Sequence, residues 1–105
     1  MNELSEKKIY SLLGLAARGR NLVSGEFSAV NAVKEGKAEL VIVSEDASDN
    51  TKKLFHDKCS FYEVPYQVFG TKEALGRAIG KELRSSVALL DGGLADNIIK
   101  HLEES

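Results

Sequence analysis

Residues 40–48 read LVIVSEDAS, and this stretch decides the fold class. Its first four residues, Leu40 to Val43, form a continuous run of apolar and mostly β-branched side chains. Such a run predicts a strand buried on both faces, of the kind found in the middle of a parallel sheet. Asp46 and Ser48 follow where short polar side chains cap the free N–H groups of a helix start. A central strand is therefore expected to lead directly into a helix.

Predicted helices and strands alternate on both sides of this stretch. Upstream, apolar residues recur at helical spacing as far as Gly19, and a second helix carries Phe27, Val30 and Val33 at helical spacing before Gly36. The other predicted elements are a strand at Leu22 and Val23, a helix with Leu54, Phe55 and Cys59, a strand from Val64 to Phe69, a helix from Thr71 to Gly80, a strand from Ser86 to Leu90, and a last helix through Leu94, Ile98 and Leu102. This alternation predicts a three-layer α/β/α sandwich around a central mixed four-stranded sheet.

Length and composition are those of one globular domain. The chain has 105 residues, 43% of them hydrophobic and 29% charged, so we expect a single domain over residues 1–105. No apolar run approaches the roughly 18 residues of a membrane span, and the lone cysteine, Cys59, fits a reducing compartment. We therefore expect a cytoplasmic protein that does not enter a membrane. The net charge of -2 argues against a generally basic nucleic-acid coat protein.

One segment departs from this acidic balance. The charged residues between positions 7 and 25 are all basic: Lys7, Lys8, Arg18 and Arg20. The segment ends where the second helix begins, and the unpaired N–H groups of a helix start, here at residues 24–27, bind anions well. Arginines beside such donors suit phosphate recognition. A solvated helix face with an ordinary cap explains the same pattern equally well.

A second basic segment joins a predicted helix to a predicted strand. Residues 80–84 read GKELR, and Arg77 lies one turn earlier. The cations can hold phosphates while Leu83 presses on an unstacked base, which is how RNA with splayed bases is commonly bound. The alternative, common for a single leucine, is that Leu83 fills the core.

Three other groups of residues favour structural explanations. The acidic stretch 45–49 suits Mg²⁺ in principle, but an acidic helix start explains it better. His56 and Cys59 lack the further ligands that zinc needs, which favours a buried structural thiol. Residues 91–93 (DGG) predict a tight turn, because the spacing of a phosphate-binding loop is missing. We expect no metal, no cofactor and no catalysis, and the remaining enzyme hypothesis places a phosphorylated small molecule at residues 91–93.

Several motifs together resemble one family. They are Leu12-Leu13-Gly14-Leu15-Ala16 with Arg18, Val23-Ser24-Gly25-Glu26, Glu45-Asp46-Ala47-Ser48 with Asn50-Thr51-Lys52-Lys53, Val64-Pro65-Tyr66, and Ala74-Leu75-Gly76-Arg77-Ala78 with Gly80-Lys81-Glu82. Over nearly the whole chain they resemble the L-seven-Ae superfamily of kink-turn RNA-binding ribosomal proteins, especially its small bacterial YlxQ-type members. The resemblance implies a ribosomal L-thirty-e-like α/β/α sandwich without enzymatic activity. It also implies binding to the kink-turn, a sharply bent RNA internal loop with tandem sheared G·A pairs.

The resemblance places one contact surface at the start of the second helix. In the family this helix begins with a glycine, matched here by Gly25, and continues with an asparagine, a glutamate and a lysine that contact the G·A pairs and the backbone. Phe27, Ser28 and Asn31 stand at those three positions. Ser28 and Asn31 can hydrogen-bond base edges, and the backbone N–H groups near Gly25 can do the same.

The second contact surface that the resemblance implies is the loop after Gly80, where an apolar side chain covers flipped-out or stacked bases. Lys72 matches a phosphate-contacting lysine, and Asp46 is expected to cap the adjacent helix in a supporting role. The two surfaces are expected to lie side by side, with the arginines around Gly25. The predicted RNA-binding residues are Arg18, Arg20, Ser24, Gly25, Glu26, Phe27, Ser28, Asn31, Lys72, Arg77, Lys81, Glu82, Leu83 and Arg84.

We therefore expect a monomeric ribosomal or ribosome-associated protein that binds kink-turn-type RNA. RNA samples bent and extended forms, and a protein that contacts only the bent form stabilises the bend. The alternative is a protein-interaction adaptor on the same fold with weak or no RNA binding, in which Phe27 anchors a partner. A steep loss of RNA affinity with salt favours the RNA hypothesis, whereas salt-insensitive binding to a protein favours the adaptor.

Overall fold

The computed structural model describes residues 2–104. The elements in this part of the chain are α1 (Glu3–Arg18), β1 (Leu22–Ser24), α2 (Glu26–Lys34), β2 (Leu40–Val43), α3 (Asp49–Tyr62), β3 (Tyr66–Val68), α4 (Lys72–Ala78), β4 (Ser86–Leu89) and α5 (Gly92–Glu103). The predicted alternation of helices and strands is confirmed. β3 is shorter than the strand predicted from Val64 to Phe69, and it begins just after Pro65.

The strands form one mixed sheet in the order β1-β4-β2-β3. Val41 of β2 lies opposite Tyr66 in the parallel pair with β3 and opposite Ala88 in the antiparallel pair with β4. β1 also pairs antiparallel with β4, with Val23 opposite Ala88. β2 and β4 are therefore central, and every residue of both strands is buried. The prediction that Leu40–Val43 forms a central strand is confirmed.

Helices cover both faces of the sheet. α1, α4 and α5 bury Ile9, Leu75 and Ile98 against one face. α2 and α3 bury Val33 and Phe55 against the other. Alternate residues along a strand point to opposite faces, so a fully apolar strand supplies both cores at once. The three-layer α/β/α sandwich with a mixed four-stranded sheet is confirmed.

Phe27 does not lie on the buried side of α2, although it recurs at helical spacing with Val30 and Val33. The residues of α2 that are buried are Ala29, Ala32 and Val33. Successive residues of a helix are turned by about 100°, so Phe27 points almost directly away from Ala29. Its side chain is 80% exposed.

The loop after β2 corrects the prediction that Asp46 and Ser48 both open α3. Ser48 caps α3 alone, accepting a hydrogen bond from the Thr51 N–H. Asp46 instead accepts one from the N–H of Lys72 at the start of α4, at 3.0 Å. The reason is that Glu45 donates its N–H to the carbonyl of Gly70 at 2.7 Å, which holds the loop after β2 against the loop after β3.

Residues 91–93 do not form the predicted tight turn. Asp91 is the N-cap of α5, and its carboxylate accepts a hydrogen bond from the Leu94 N–H at 2.9 Å. Gly92 and Gly93 are the first residues of that helix. The carboxylate thus occupies the place where an anionic ligand would meet the helix start, which disfavours the small-molecule phosphate site of the enzyme hypothesis.

Candidate nucleic-acid interface

Among the helices described, α2 alone begins without a side-chain cap; Asn2, Ser48, Thr71 and Asp91 cap the others. Gly25 occupies the cap position of α2 with φ 92° and ψ 155°, a conformation essentially restricted to glycine. A Cβ at this position would meet nothing within 4 Å, so backbone conformation rather than space requires the glycine. The first N–H groups of α2 therefore carry the positive end of the helix dipole without a side-chain acceptor.

A hydrogen bond joins this helix start to the loop that precedes β4. Arg84 donates from Nε to the hydroxyl oxygen of Ser24 at 3.1 Å and from Nη1 to the carbonyl of Leu83 at 2.8 Å. Gly25 also donates its N–H to the carbonyl of Ser86 at 2.9 Å. The start of α2 and the loop of residues 80–84 therefore lie side by side, with the Arg84 guanidinium between them.

The loop of residues 80–84 rests on α4. Lys81 donates its N–H to the carbonyl of Gly76 at 2.8 Å, and Arg84 donates its N–H to the carbonyl of Lys72 at 3.1 Å. A Cβ on Gly76 would lie 1.6 Å from the carbonyl oxygen of Glu82, so only glycine permits this close approach. α4 thus fixes the path of the loop through its main chain.

Leu83 extends from this loop into solvent, with 59% of its surface exposed. The alternative that Leu83 fills the core is therefore wrong. It lines a shallow depression together with Arg77, Lys81 and Glu82. Arg77 forms an exposed ion pair with Glu73, one turn earlier on α4. An apolar side chain beside cations is the arrangement that can cover an unstacked base.

Arg18 reaches the same region from the end of α1. Arg18 and Arg77 line one depression of about 390 Å³ together with Gly14 and Gly80. A Cβ on Gly14 would lie 2.9 Å from the carbonyl oxygen of Ala78, so glycine lets α1 approach the end of α4 closely. Two arginines therefore line a single concavity next to the loop.

Lys72 is fixed at both main-chain polar groups, since its N–H donates to Asp46 and its carbonyl accepts from Arg84. Desolvation acts to raise the pKa of the Asp46 carboxyl, but the hydrogen bonds from the Lys72 N–H, the Ser44 hydroxyl and its own N–H, together with the charge of Lys72, hold the pKa below its ordinary value. Asp46 is therefore ionised at neutral pH and supports the start of α4, next to the loop.

Arg20 does not lie beside Gly25, contrary to the predicted arrangement. The carbonyl of Asn21 accepts the N–H of Leu90 beyond the C-terminal end of β4, whereas Gly25 bonds to Ser86 at its N-terminal end. The extended residues of β1 separate the two positions, because a strand advances about 3.3 Å per residue. Arg20 is exposed at the far end of β1.

Four other predicted residues are distributed around α2. The carboxylate of Glu26 accepts a hydrogen bond from the Thr51 hydroxyl at 3.3 Å, so this side chain is turned toward α3. Phe27 and Asn31 line a groove between α2 and α3. Ser28 is exposed on α2. Phe27 and Asn31, at two of the family's base-reading positions, therefore line this groove rather than the depression beside the loop of residues 80–84.

Metal chemistry has no visible basis in this part of the chain. Within residues 2–104 no group of three or more histidine, cysteine, aspartate or glutamate residues is arranged to hold a metal ion. Cys59 is buried, and desolvation raises the pKa of its thiol to about 11, so the thiol stays protonated at neutral pH.

None of the described helices is both long and apolar enough to cross a membrane.

Gly76 is a supporting residue whose part in the site the sequence did not reveal. Its only local signal is a glycine inside a predicted helix, where it costs about 1 kcal/mol relative to alanine. Glycine is needed at this position because of Glu82, six residues further along the chain, whose carbonyl lies where a Cβ would be.

A model of the ribosomal protein L7Ae/L30e/S12e/Gadd45 family matches residues 7–99. The chain belongs to this family. Two of its relatives are called RNA-binding protein YlxQ. The one from Bacillus subtilis is 44% identical over 100 residues, which cover 95% of this chain and 100% of the relative. The one from Enterococcus faecium is 41% identical over 96 residues, covering 90% of this chain and 91% of the relative.

Solved structures share the fold of this family member. A protein with unknown function from Bacillus halodurans superposes with a TM-score of 0.89 at 45% identity, covering 91% of this chain and 97% of the other. The 15.5kD RNA binding protein of Giardia lamblia superposes with a TM-score of 0.80 at 29% identity, covering 99% of this chain and 92% of the other.

Proposed function

We propose that this protein binds structured RNA through the start of α2 and the loop of residues 80–84, and that it stabilises a bent, kink-turn-type form of that RNA. The hydrogen bond from Arg84 to Ser24 is the observation that carries the proposal. It fixes a cation beside uncapped N–H groups and next to the exposed Leu83. Membership of the L7Ae family and relatives named as RNA-binding proteins support the same function.

The chemistry of this surface suits the parts of an RNA bend. Phosphate oxygens accept hydrogen bonds from helix-start N–H groups and from arginine. Leu83 offers an apolar face to a base that has left the stack. Ser28 and the backbone near Gly25 supply hydrogen bonds to base edges in place of the family's asparagine, glutamate and lysine.

The local charge favours a polyanion even though the whole chain is acidic. Arg18, Lys72, Lys81 and Arg84 form no ion pair with any residue between 2 and 104. Glu82 is the acidic residue of the loop itself. Cations that lack a partner within the protein release counterions from RNA when they contact phosphates.

Binding changes the population of RNA conformers without breaking a bond. RNA that samples extended and bent forms is shifted toward the bent form, because only that form meets the helix start and the loop together. We infer a monomeric, non-catalytic cytoplasmic protein with one RNA-binding domain, which acts on ribosomal RNA or on another RNA with a similar internal loop.

The test is binding of the protein to two labelled RNAs. One carries a standard kink-turn, and in the other Watson–Crick pairs replace the G·A pairs. We expect tighter binding to the kink-turn and, for Arg84→Ala, a loss of about 1–3 kcal/mol in binding free energy. Gly25→Ala is expected to weaken binding as well, since alanine is strained at φ 92°.

Lys100→Ala is the matched control, because it removes an exposed cation from α5 and should leave RNA affinity unchanged. Equal affinity for the two RNAs would contradict kink-turn recognition while leaving RNA binding in place. Failure to bind either RNA would contradict the proposal as a whole.

A further inference from the structure

A groove between α2 and α3 exposes apolar side chains beyond the helix start and the loop. It has a volume of about 360 Å³ and is lined by Phe27, Val30 and Leu54, with Lys34 and Lys58 at its sides. α2 and α3 pack on the same face of the sheet, so their outer surfaces form a valley. The apolar part of this groove is therefore presented to solvent by two neighbouring helices.

A second depression of about 360 Å³ extends the groove along α3. Leu54 and Lys58 line both depressions, and Phe61 and Tyr62 line the far end. From Leu54 to Phe61 the helix makes about two turns, a length of roughly 10 Å. The two depressions are therefore one continuous apolar strip.

Core packing does not require the aromatic residues of this strip. Phe27 is 80% exposed and Phe61 is 77% exposed, whereas Phe55, also on α3, is fully buried. Phe61 packs edge-on against Tyr62, with ring centroids 4.9 Å apart, so the two rings form one surface. Contiguous exposed apolar area rimmed by polar residues is typical of interaction sites.

The net charge along the groove is positive, because Lys34 and Lys58 outweigh the one unpaired carboxylate, that of Glu26. Lys34 and Lys58 have no ion-pair partner within residues 2–104. Of the two neighbouring carboxylates, Asp57 is paired with Lys53 at 2.8 Å, whereas Glu26 accepts only from the uncharged Thr51 hydroxyl and keeps its negative charge. An occupant with its own carboxylates would therefore complement the groove.

We infer that this groove binds an amphipathic helix of another protein, with apolar side chains one turn apart and acidic residues beside them. A valley between two helices accepts a third helix whose anchors recur at i, i+4 and i+7. The groove presents several apolar side chains in a row, Phe27, Val30 and Leu54, whereas a single unstacked base needs only one apolar face, and this favours a helix over RNA. A second copy of this face is disfavoured because the lysines would oppose one another.

The inference goes beyond RNA binding, since the groove uses Leu54, Lys58 and Phe61 of α3, which take no part in the contact between Ser24 and Arg84. A helical partner on α2 and α3 would leave the loop of residues 80–84 uncovered. The protein would then hold an RNA and a protein on two neighbouring surfaces that meet at the first turn of α2.

The test is a selection from a display library of random peptides of about 16 residues, long enough for a helix of about 24 Å. We expect the enriched peptides to combine apolar residues three or four positions apart with aspartate or glutamate. Phe61→Ala and Lys58→Glu are each expected to weaken their binding about tenfold or more, because they remove an aromatic anchor and reverse the complementary charge.

Leu4→Ala and Lys100→Glu are the matched controls, an exposed apolar residue on α1 and an exposed lysine on α5. Thermal unfolding of all four variants shows that each is folded. The inference is overturned if no peptide is enriched, if basic peptides are enriched, or if Phe61→Ala and Lys58→Glu bind the peptides normally. It is also overturned if these two variants weaken RNA binding as much as Arg84→Ala, since the groove would then belong to the RNA.

Discussion

Gly76 determines where the loop of residues 80–84 runs, although it contributes no side chain. Its Cα faces the carbonyl of Glu82, with space for a hydrogen but not for a methyl group. Arg84 and Leu83 owe their positions to this approach, because the loop also bonds to α4 at the carbonyls of Gly76 and Lys72. A residue without functional groups can therefore control where functional groups lie.

Replacement of Gly76 by alanine is expected to displace the loop. A Cβ only 1.6 Å from a carbonyl oxygen cannot be accommodated without backbone movement. We expect Gly76→Ala to lower the free energy of unfolding by about 1–3 kcal/mol, despite the higher helix propensity of alanine, and to weaken RNA binding. Urea unfolding and an RNA-binding assay measure the two effects.

Gly92→Ala provides the comparison, since a Cβ on this first residue of α5 would make only ordinary contacts with the Glu39 side chain at 3.7 Å. It should be neutral or slightly stabilising. If Gly76→Ala behaves like Gly92→Ala in both assays, the loop does not depend on the glycine.

Phe55 on α3 and Phe27 on α2 lie in opposite environments, and this allows a prediction about the two helices. Phe55 is fully buried and Phe27 is 80% exposed. Phe55→Ala is expected to lower the free energy of unfolding by about 3–5 kcal/mol, because it leaves a cavity. Phe27→Ala is expected to change it by no more than about 0.5 kcal/mol. Urea unfolding of the two variants tests this, and a large loss for Phe27→Ala would place its ring in the core.

Helix α2 also shows where periodicity fails as a guide. The spacing of Phe27, Val30 and Val33 predicts the helix but not which side of it is buried, and Ala29 and Ala32 are buried whereas Phe27 is not. Alanine is a weak hydrophobic signal, and here it lets the helix approach the sheet closely. The exposure of Phe27 therefore follows from tertiary packing rather than from its own hydrophobicity.

The start of α4 shows a similar limit to prediction from sequence. The sequence predicted that Thr71 would cap this helix, and Thr71 does accept the Ala74 N–H at 3.1 Å. The added bond from Lys72 to Asp46 spans 26 residues and depends on β2 and β3 being parallel neighbours. Local capping can be predicted from sequence, whereas a cap supplied across the sheet needs the strand order.

At the scale of the whole molecule, charge is distributed unevenly enough for an acidic protein to bind a polyanion. The net charge is -2, yet four cations near the loop lack ion-pair partners within the described chain: Arg18, Lys72, Lys81 and Arg84. If each contacts a phosphate, the logarithm of RNA affinity should fall with the logarithm of salt concentration with a slope of about -3.

RNA binding measured over a series of salt concentrations tests this distribution of charge. Arg84→Ala should reduce the magnitude of the slope by about one, whereas Lys100→Ala should leave it unchanged. Affinity that does not vary with salt would show that phosphates are not held by these side chains.

Most of the architecture could be predicted from the sequence because burial on both faces leaves a continuous apolar run. Leu40–Val43 and Ser86–Leu89 are the central strands, and the helices α2 and α4 end near Gly36 and Gly80. The site was less predictable. Arg20 precedes the end of β1 that lies far from Gly25, and it does not line the depression shared by Arg18 and Arg77.

The two outer strands of the sheet are each only three residues long, and this limits how copies of the protein can associate. β1 and β3 are the edges, and Pro65, which has no N–H, immediately precedes β3. Short edges offer few unpaired N–H and C=O groups to a neighbouring sheet. The aggregation-prone segments, which are the apolar strands β2 and β4, are shielded between them. The folded protein should therefore resist polymerising through its sheet at high concentration.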